Sequence, residues 1–358
     1  MAGSHPAGTD AERWRLAMVV PLQGPGGVFG PSCEAVGQLA AHDLNAAGGV
    51  LGREVHIEVV DGGAEPAAVA HRVDELVSDG RIDAVTGWHI SSVRNALAPV
   101  VAARVPYAYP ALYEGGEHRR DIYCCGETPD GQIEPALRWL RDNLGIRRWF
   151  IVGDDYVWPR SSMASVRRYA GELNLDIVGG RFVDLGRADM AEVVRAALGS
   201  GCEAVLMLLV GHDAVEFNRA CAAQGADESF VRFSPLMDES MLLASGDGAT
   251  RRLFVAASYF RSMIGAGSME LLDRYLDLHG PGAPPLSGIA ESCYEGTQLL
   301  AKLIHRTGRL TDLPAADGMA YESPRGTVEF HPDSTVQPVH LAVADGFDFD
   351  VLTTLARH

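Results

Sequence analysis

AVTGWHISSVRNALAPVVAARVPYAYPALYEG, residues 84–115, is the stretch whose reading decides the fold. Ala84 to Gly87 is short and apolar, as a buried strand should be, and Trp88-His89-Ile90-Ser91-Ser92 makes the turn. Val93 to Ala103 then carries helical spacing, with Val93, Leu97, Val100 and Val101 on one face. Arg104 to Tyr109 predicts a second strand, closed by Pro110. Strand, helix, strand in this order implies a parallel α/β sheet, in which ligands sit at the carboxyl ends of strands. Those ends carry Trp88, His89, Ser91, Ser92, Tyr109 and Tyr113, so the stretch predicts one wall of a binding pocket.

Upstream the same alternation holds. Trp14 to Pro21, Glu54 to Asp61 and the helices Glu34–Ala47 and Ala67–Asp79 complete a doubly wound half. Gln23-Gly24-Pro25-Gly26-Gly27 lacks the spacing of a dinucleotide fingerprint, and Pro25 removes an amide that a phosphate needs. It reads as a loop that lets a ligand approach the backbone. After Gly126 the pattern restarts. Helices are predicted over Ile133–Leu144, from Pro159 to about Asn174, over Met190–Leu198 and up to Ala223; they alternate with strands at Arg148–Gly153, Ile177–Val183, Ala204–Val210 and Val231–Ser234. Phe254 to Ala257 reopens the first pattern, two helices follow (Met269–His279, Ile289–Arg306), and GTVEF at 326–330 with VHLAVADG at 339–346 reads as finishing strands. The expected division is 12–126 plus 253–328 in a first lobe and 127–252 plus 329–358 in a second, with 1–11 a disordered tail.

The totals narrow the function. With 358 residues and 47% hydrophobic content the chain can bury two cores. A net charge of −17 opposes any broad contact with nucleic-acid phosphates. Six cysteines, Cys33, Cys124, Cys125, Cys202, Cys221 and Cys293, lack zinc-site spacing, and the pair 124–125 reads as the small apolar end of a strand. The first twenty residues lack a basic region followed by a long apolar run, and no stretch could span a membrane, which predicts a cytoplasmic protein. An exported protein stays open if Met1 to His5 stand where a leader was removed. Asp154-Asp155 is the tempting catalytic pair, but adjacent carboxylates on extended backbone point to opposite sides, so they read as a turn into a helix. No nucleophile elbow or metalloprotease motif occurs, and neither an enzyme, a cofactor nor a metal is expected.

Several stretches together resemble a known family: LNAAGGVLGREV (44–55), TGWHISSVRNALAPVV (86–101), YPALYEG (109–115), VGDDYVWPR (152–160), VLMLLVGHDAVEFNRA (205–220), AESCYEGTQLLAKL (290–303) and SPRGTVEFHP (323–332). In their order they resemble type I periplasmic binding proteins of the branched-chain amino acid class, and most of all its urea- and short-chain-amide-binding branch. The resemblance implies two doubly wound, Rossmann-like α/β lobes joined by hinge strands and closing on one small polar, amide- or urea-like ligand. It implies a first-lobe wall of His89, Ser91, Tyr109, Ala111 and Tyr113. The second-lobe wall would be Tyr156 with Val210 to Asp213, Gly211 included, and Met237 or Asp238. His89 and Ala111 depart from the branch, which commonly carries an aromatic hydroxyl and a hydroxyl there; with Asp213 near the cleft, that suggests a larger or partly cationic amide. The branch holds both exported receptors of ABC transporters and a cytoplasmic amide sensor acting on an antiterminator. Without a leader the sensor is expected, with a regulatory protein as partner. The alternative is a transport receptor with an ABC permease, and a homodimer stays open.

Overall fold

The computed structural model describes residues 12–331 and 334–356. The tail expected over 1–11 and the turn expected at Pro332-Asp333 therefore lie outside the described residues. The first half runs β1 (Arg13–Val20), α1 (Gly30–Ala46), β2 (Glu54–Asp61), α2 (Pro66–Ser78), β3 (Ala84–Thr86), α3 (Ser91–Val101), β4 (Tyr107–Tyr109) and β5 (Ile122–Cys124). These strands form one parallel sheet in the order β2-β1-β3-β4-β5. The strand expected from Arg104 shrinks to Tyr107–Tyr109, because Arg104 and Val105 still close α3 with backbone bonds back to Val101.

The second half follows as α4 (Pro129–Leu144), β6 (Arg148–Asp154), α5 (Val157–Leu173), β7 (Asp176–Val183), α6 (Met190–Ser200), β8 (Ala204–Leu208), α7 (His212–Ala223), β9 (Val231–Ser234), α8 (Glu239–Ser245) and β10 (Leu253–Ala257). The return comprises α9 (Ala266–His279), α10 (Gly288–Thr307), β11 (Ala320–Ser323), β12 (Gly326–His331), β13 (Ser334–Val336), β14 (His340–Asp345) and β15 (Asp348–Thr354). The second sheet has the order β15-β14-β10-β9-β8-β6-β7, parallel except for β14 and β15 at one edge.

Two expected boundaries shift. Leu253–Ala257 pairs with β9 and β14, so it completes the second sheet instead of reopening the first. Its apolar run announces a buried strand without saying which sheet buries it. Glu329 lies in β12, within a small antiparallel sheet of β11, β12 and β13 that packs with α10 on the first lobe. The chain thus crosses between lobes near Glu127, Ser258 and Gln337. Hydrogen bonds tie these crossings together: Ser258 donates to Glu127 Oε1 from its amide (2.9 Å) and its hydroxyl (2.5 Å), and Gln337 Nε2 donates to the Cys125 carbonyl at 3.2 Å.

α10 is the main cover of the first sheet: Leu299, Leu300, Leu303 and Ile304 pack with Trp14, Leu16, Ala84 and Ala108. A second apolar cluster runs from α1 across the junction into β8, β9 and β14, so the lobes meet in a closed arrangement. Among the described residues no helix is long and apolar enough to cross a membrane.

Candidate functional site

Between the lobes lies a cavity of about 420 Å³, built where strands of both sheets end. The first lobe supplies Pro21, Gln23, Pro25 and Gly26 beyond β1, Gly62 to Pro66 beyond β2, and Trp88, Ile90 and Ser92 beyond β3. The second lobe supplies Asp155 and Tyr156 beyond β6, Asp184, Leu185 and Arg187 beyond β7, and Val210 beyond β8. Trp88 also borders a smaller hinge-side cavity of about 40 Å³, lined by Ala111, Gln132, Met237, Glu239 and Tyr259 among others.

Two glycines make the closed contact. Gly211 has φ 49 and ψ −113, and a Cβ there would lie 2.0 Å from the Pro25 carbonyl oxygen. At Gly186 (φ 74) a Cβ would lie 2.8 Å from Pro25 Cγ. The loop read as a ligand approach therefore also carries the seat on which the second lobe closes.

The structure sorts the expected site residues. Tyr156 precedes α5 and lines the large cavity; Ala111 lines the small one; Gly211 is the lobe contact. Ser91 opens α3 without capping it, and its buried Oγ lies beside Tyr109 with no hydrogen bond of good geometry. Tyr109 donates from its hydroxyl to the His89 carbonyl at 2.7 Å and stacks edge-on against Tyr113 at 6.3 Å. Arg94 lies over both rings, 5.3 and 5.2 Å from their centroids, and donates to Glu114 at 2.5 Å. Tyr113 opens toward a different hollow, on the outer side of β5.

His89 and Asp213 are corrections. His89 is fully enclosed, its Nδ1 2.9 Å from the Val19 carbonyl and its Nε2 2.6 Å from the Tyr107 hydroxyl. A carbonyl only accepts, so Nδ1 carries the proton and Nε2 accepts from the tyrosine. Burial, reinforced by the Arg94 charge, lowers its pKa to about 4, so the ring is neutral. The cause is Gly87 (φ 120), where the turn presses so close to Val19 that a Cβ would meet its carbonyl oxygen at 2.3 Å. That tight turn tucks His89 behind the wall. Asp213 likewise faces inward and accepts from the Gly186 amide at 2.6 Å. Asp238 caps α8 by accepting from the Met241 amide at 2.9 Å, and its other oxygen has no partner; burial pushes its pKa up to about 6. Asp155 forms a bidentate surface pair with Arg160 (2.7 and 2.8 Å), while Asp154 is buried, so the neighbours do point to opposite sides.

Sequence reasoning misses Gly186, Arg187, Glu239 and Tyr259, whereas Trp88, expected at a strand end, borders both cavities. The strand-end rule would have flagged Asp184 to Arg187, since they follow β7. Glu239 and Tyr259 each leave a buried oxygen without a partner beside the small cavity. Electrostatically, the most telling feature is at the helix starts. Residues at the N-termini of α2, α3, α5 and α7 border the large cavity, and none of the four is capped by a side chain. Elsewhere α6, α8 and α10 are capped by Asp189, Asp238 and Ser287, while α1, α4 and α9 also lack a side-chain cap, so what distinguishes the four is their shared place at the cavity. Uncapped N-termini present amide donors and a partial positive charge, which suits a carboxylate or a strong neutral acceptor. Among the described residues no cluster of metal-ligating side chains occurs.

Known proteins share this architecture. The solute-binding protein of an ABC transporter from Rhodopseudomonas palustris BisB5, solved with 3,4-dihydroxybenzoic acid, superposes with a TM-score of 0.85 at 21% identity, covering 97% of this chain and 98% of that one. The branched-chain amino acid transporter substrate-binding protein LivJ of Streptococcus pneumoniae, solved with isoleucine, gives 0.82 at 16% identity, over 95% and 99%. At such identities the likeness establishes the fold. A curated relative, the Leu/Ile/Val-binding protein BraC3 of Rhizobium johnstonii, is 28% identical over 144 residues, a stretch spanning 39% of either chain. The periplasmic binding protein pattern matches residues 13–344, and with two hinged α/β lobes around a cleft the chain belongs to the periplasmic binding protein family.

Proposed function

We propose that this chain is the solute-binding component of an ABC transporter and that it closes on one small solute presenting a carboxylate or comparable acceptor. The carrying observation is the group of four uncapped helix N-termini, two from each lobe, at a single cavity. A ligand that accepts from both lobes binds the closed state better than the open one, and that difference drives closure. The solved relatives named as transporter components, with a dihydroxybenzoic acid and with isoleucine bound, support a receptor working outside the cytoplasm over a cytoplasmic sensor. Both of those ligands carry a carboxylate. The solute is bound and released unchanged.

The expectation of a partly cationic amide rests on His89 and Asp213 near the ligand and on a lost hydroxyl at Ala111. With both ring nitrogens of His89 engaged inside the lobe and buried Asp213 turned to the Gly186 amide, the support from those two falls away. The test is native mass spectrometry of freshly purified protein, followed by thermal-shift and calorimetric screens of small carboxylates, amino acids, urea and short amides. Carboxylates should raise Tm and bind, and Ser92→Ala, which removes the cavity-lining hydroxyl at the start of α3, should weaken the best binder about ten-fold, the equivalent of one hydrogen bond of about 1.4 kcal/mol. Binding by urea or amides with every carboxylate silent would overturn the ligand class.

A further inference from the structure

The large cavity and the small hinge-side one meet at a single residue. Trp88, in the turn between β3 and α3, borders both, and among the described residues no other lining residue is common to the two. Its side chain is held in place: it is 3% exposed, and its ring meets that of fully buried Phe29 edge-on at 4.8 Å. Phe29 ends the short helical turn that Pro25 opens, so Trp88 is braced by the element on which the second lobe seats.

The pocket behind Trp88 is partly polar, and most of its polar side chains are engaged. Gln132 Nε2 donates to the Pro235 and Ala256 carbonyls at 2.7 Å each, and the Ser292 hydroxyl to the Ile289 carbonyl at 2.7 Å. Glu127 accepts from Ser258, and Arg325 donates to Glu291 and Gln337. Two buried oxygens are left over. Glu239, at the start of α8, accepts from the Arg261 amide through Oε1 at 2.8 Å, while its Oε2 has no partner. The Tyr259 hydroxyl has none either, and the two residues are 1% and 2% exposed. Buried polar groups are rarely left unpaired, so two such oxygens on one pocket make a subsite for a donor such as an ammonium group. The large cavity offers the opposite, amide donors at helix N-termini that suit an acceptor.

We propose that Trp88 is a specificity-determining residue that walls the donor subsite at Glu239 and Tyr259 off from the solute cavity. The cleft then selects a solute by its acceptor end, and an ammonium group at the far end gains nothing from those two oxygens. This deepens the reading of the large cavity as the solute site and rests on it. A smaller side chain at position 88 joins the two cavities and lets one extended solute meet donors at one end and acceptors at the other.

The experiment is calorimetry on the whole chain at about pH 8.5, where Glu239, raised to about 8 chiefly by burial, is mostly ionised and the probes keep their ammonium charge. The probes are butyrate against γ-aminobutyrate and caproate against ε-aminocaproate, together with the primary amides of all four. What is read is the affinity ratio of each amino-bearing probe to its plain partner. In the unsubstituted chain, Glu239→Gln keeps the acceptor for the Arg261 amide and should change that ratio by less than about two-fold. In Trp88→Leu the ratio should rise about ten-fold or more for the longer pair, as for a hydrogen bond to a charged group, and adding Glu239→Gln should return it. A cleft that is merely loosened weakens both partners alike and leaves the ratio where it was. Trp88→Phe, which keeps a ring against Phe29, is the second variant, with a shift in the same direction expected. A Glu239→Gln effect of about ten-fold in the unsubstituted chain means that solutes already pass Trp88, and overturns the proposal. So does a ratio that stays put in both Trp88 variants, silence of the amino-bearing probes included. If neither Trp88 variant folds, the Glu239→Gln comparison in the unsubstituted chain decides alone. Amides that bind while every carboxylate stays silent overturn the acceptor class instead, and the coupling of Trp88 to Glu239 is then read in the amide series.

Discussion

Substituting alanine at Gly211 tests whether the cleft works by closing on Pro25. The added Cβ would lie 2.0 Å from the Pro25 carbonyl oxygen, 2.9 Å from its carbon and 3.3 Å from Gly26 Cα. Carbon–oxygen contacts settle at roughly 3.3 Å or more, so the lobes must part by about 1.3 Å at this point. Overpacking of this kind costs about 1–3 kcal/mol. Because only the closed state feels it, solute affinity should drop about 5–150-fold. A second cost must be separated out. At φ 49 and ψ −113 an alanine is strained in the open state as well, by about 1–3 kcal/mol, and that lowers Tm without touching closure. Gly145→Ala supplies the control, since Gly145 has φ 72 and a Cβ added there would meet nothing within 4 Å. Calorimetry with the solute that co-purifies gives the affinity, and small-angle scattering gives the compaction on binding. Both glycine variants should lose Tm, while only Gly211→Ala loses affinity and compaction. Equal affinity and equal compaction in Gly211→Ala would refute the reasoning.

His89 sets a pH limit on stability. Its folded pKa is lowered to about 4, so below its unfolded value of about 6.5 the unfolded chain gains a proton that the folded ring refuses. Its contribution is complete above about pH 6.5 and is lost toward about pH 4, about 3 kcal/mol at most. His89→Gln can keep both hydrogen bonds without titrating, so its urea-unfolding stability should fall less steeply across that window; parallel slopes would dismiss the idea. At the hinge, buried Arg325 donates from Nε to Glu291 Oε2 at 2.9 Å and from Nη1 to Gln337 at 3.0 Å. Arg325→Met strands a buried carboxylate and should cost about 3–5 kcal/mol by chemical denaturation, most of it recovered by adding Glu291→Leu. A single-variant loss under about 1 kcal/mol would mean that Glu291, whose pKa burial raises to about 7, takes up a proton once the guanidinium is gone.

The fold is legible in the sequence because its signals are local. Apolar runs such as Ala204–Leu208 are too short for a helix and fit buried strands, and the 3.6-residue stripe of α3 identifies its helix from sequence alone. Sheet membership is not local, and so a sequence reading puts β10 in the wrong lobe: its partners, β9 and β14, lie on either side of it in the chain, β14 only after the whole return segment. The site divides in the same way. The resemblance leads to Tyr156, Ala111 and Gly211, which border the cavities or form the lobe contact, and the strand-end rule to Trp88 and Ser92, because both concern where the backbone goes. Neither can say which way a side chain turns, and His89 and Asp213 turn inward. Adjacency suggests reading Asp154 only against Asp155, whereas the amide it anchors, that of Val210, lies 56 residues further along the chain.

The geometry also separates what closes the cleft from what selects its occupant. The seat is a proline carbonyl and ring against two glycines, a contact of backbone with little chemical character. It can add shape but hardly any discrimination between solutes. Moving a two-lobe equilibrium from mostly open to almost fully closed takes about 5.5 kcal/mol of differential affinity. A hydrogen bond to a charged group contributes about 1.5–3 kcal/mol, so two to four such bonds made only in the closed state supply it. Four uncapped helix N-termini match that need, and they lie in both lobes, so no single lobe can collect the whole amount. A solute lacking the acceptor would leave those amides unpaired in a closed cleft, a cost it avoids only by leaving the lobes apart. Selectivity and closure are then the same event, read at the helix ends and carried out at Pro25.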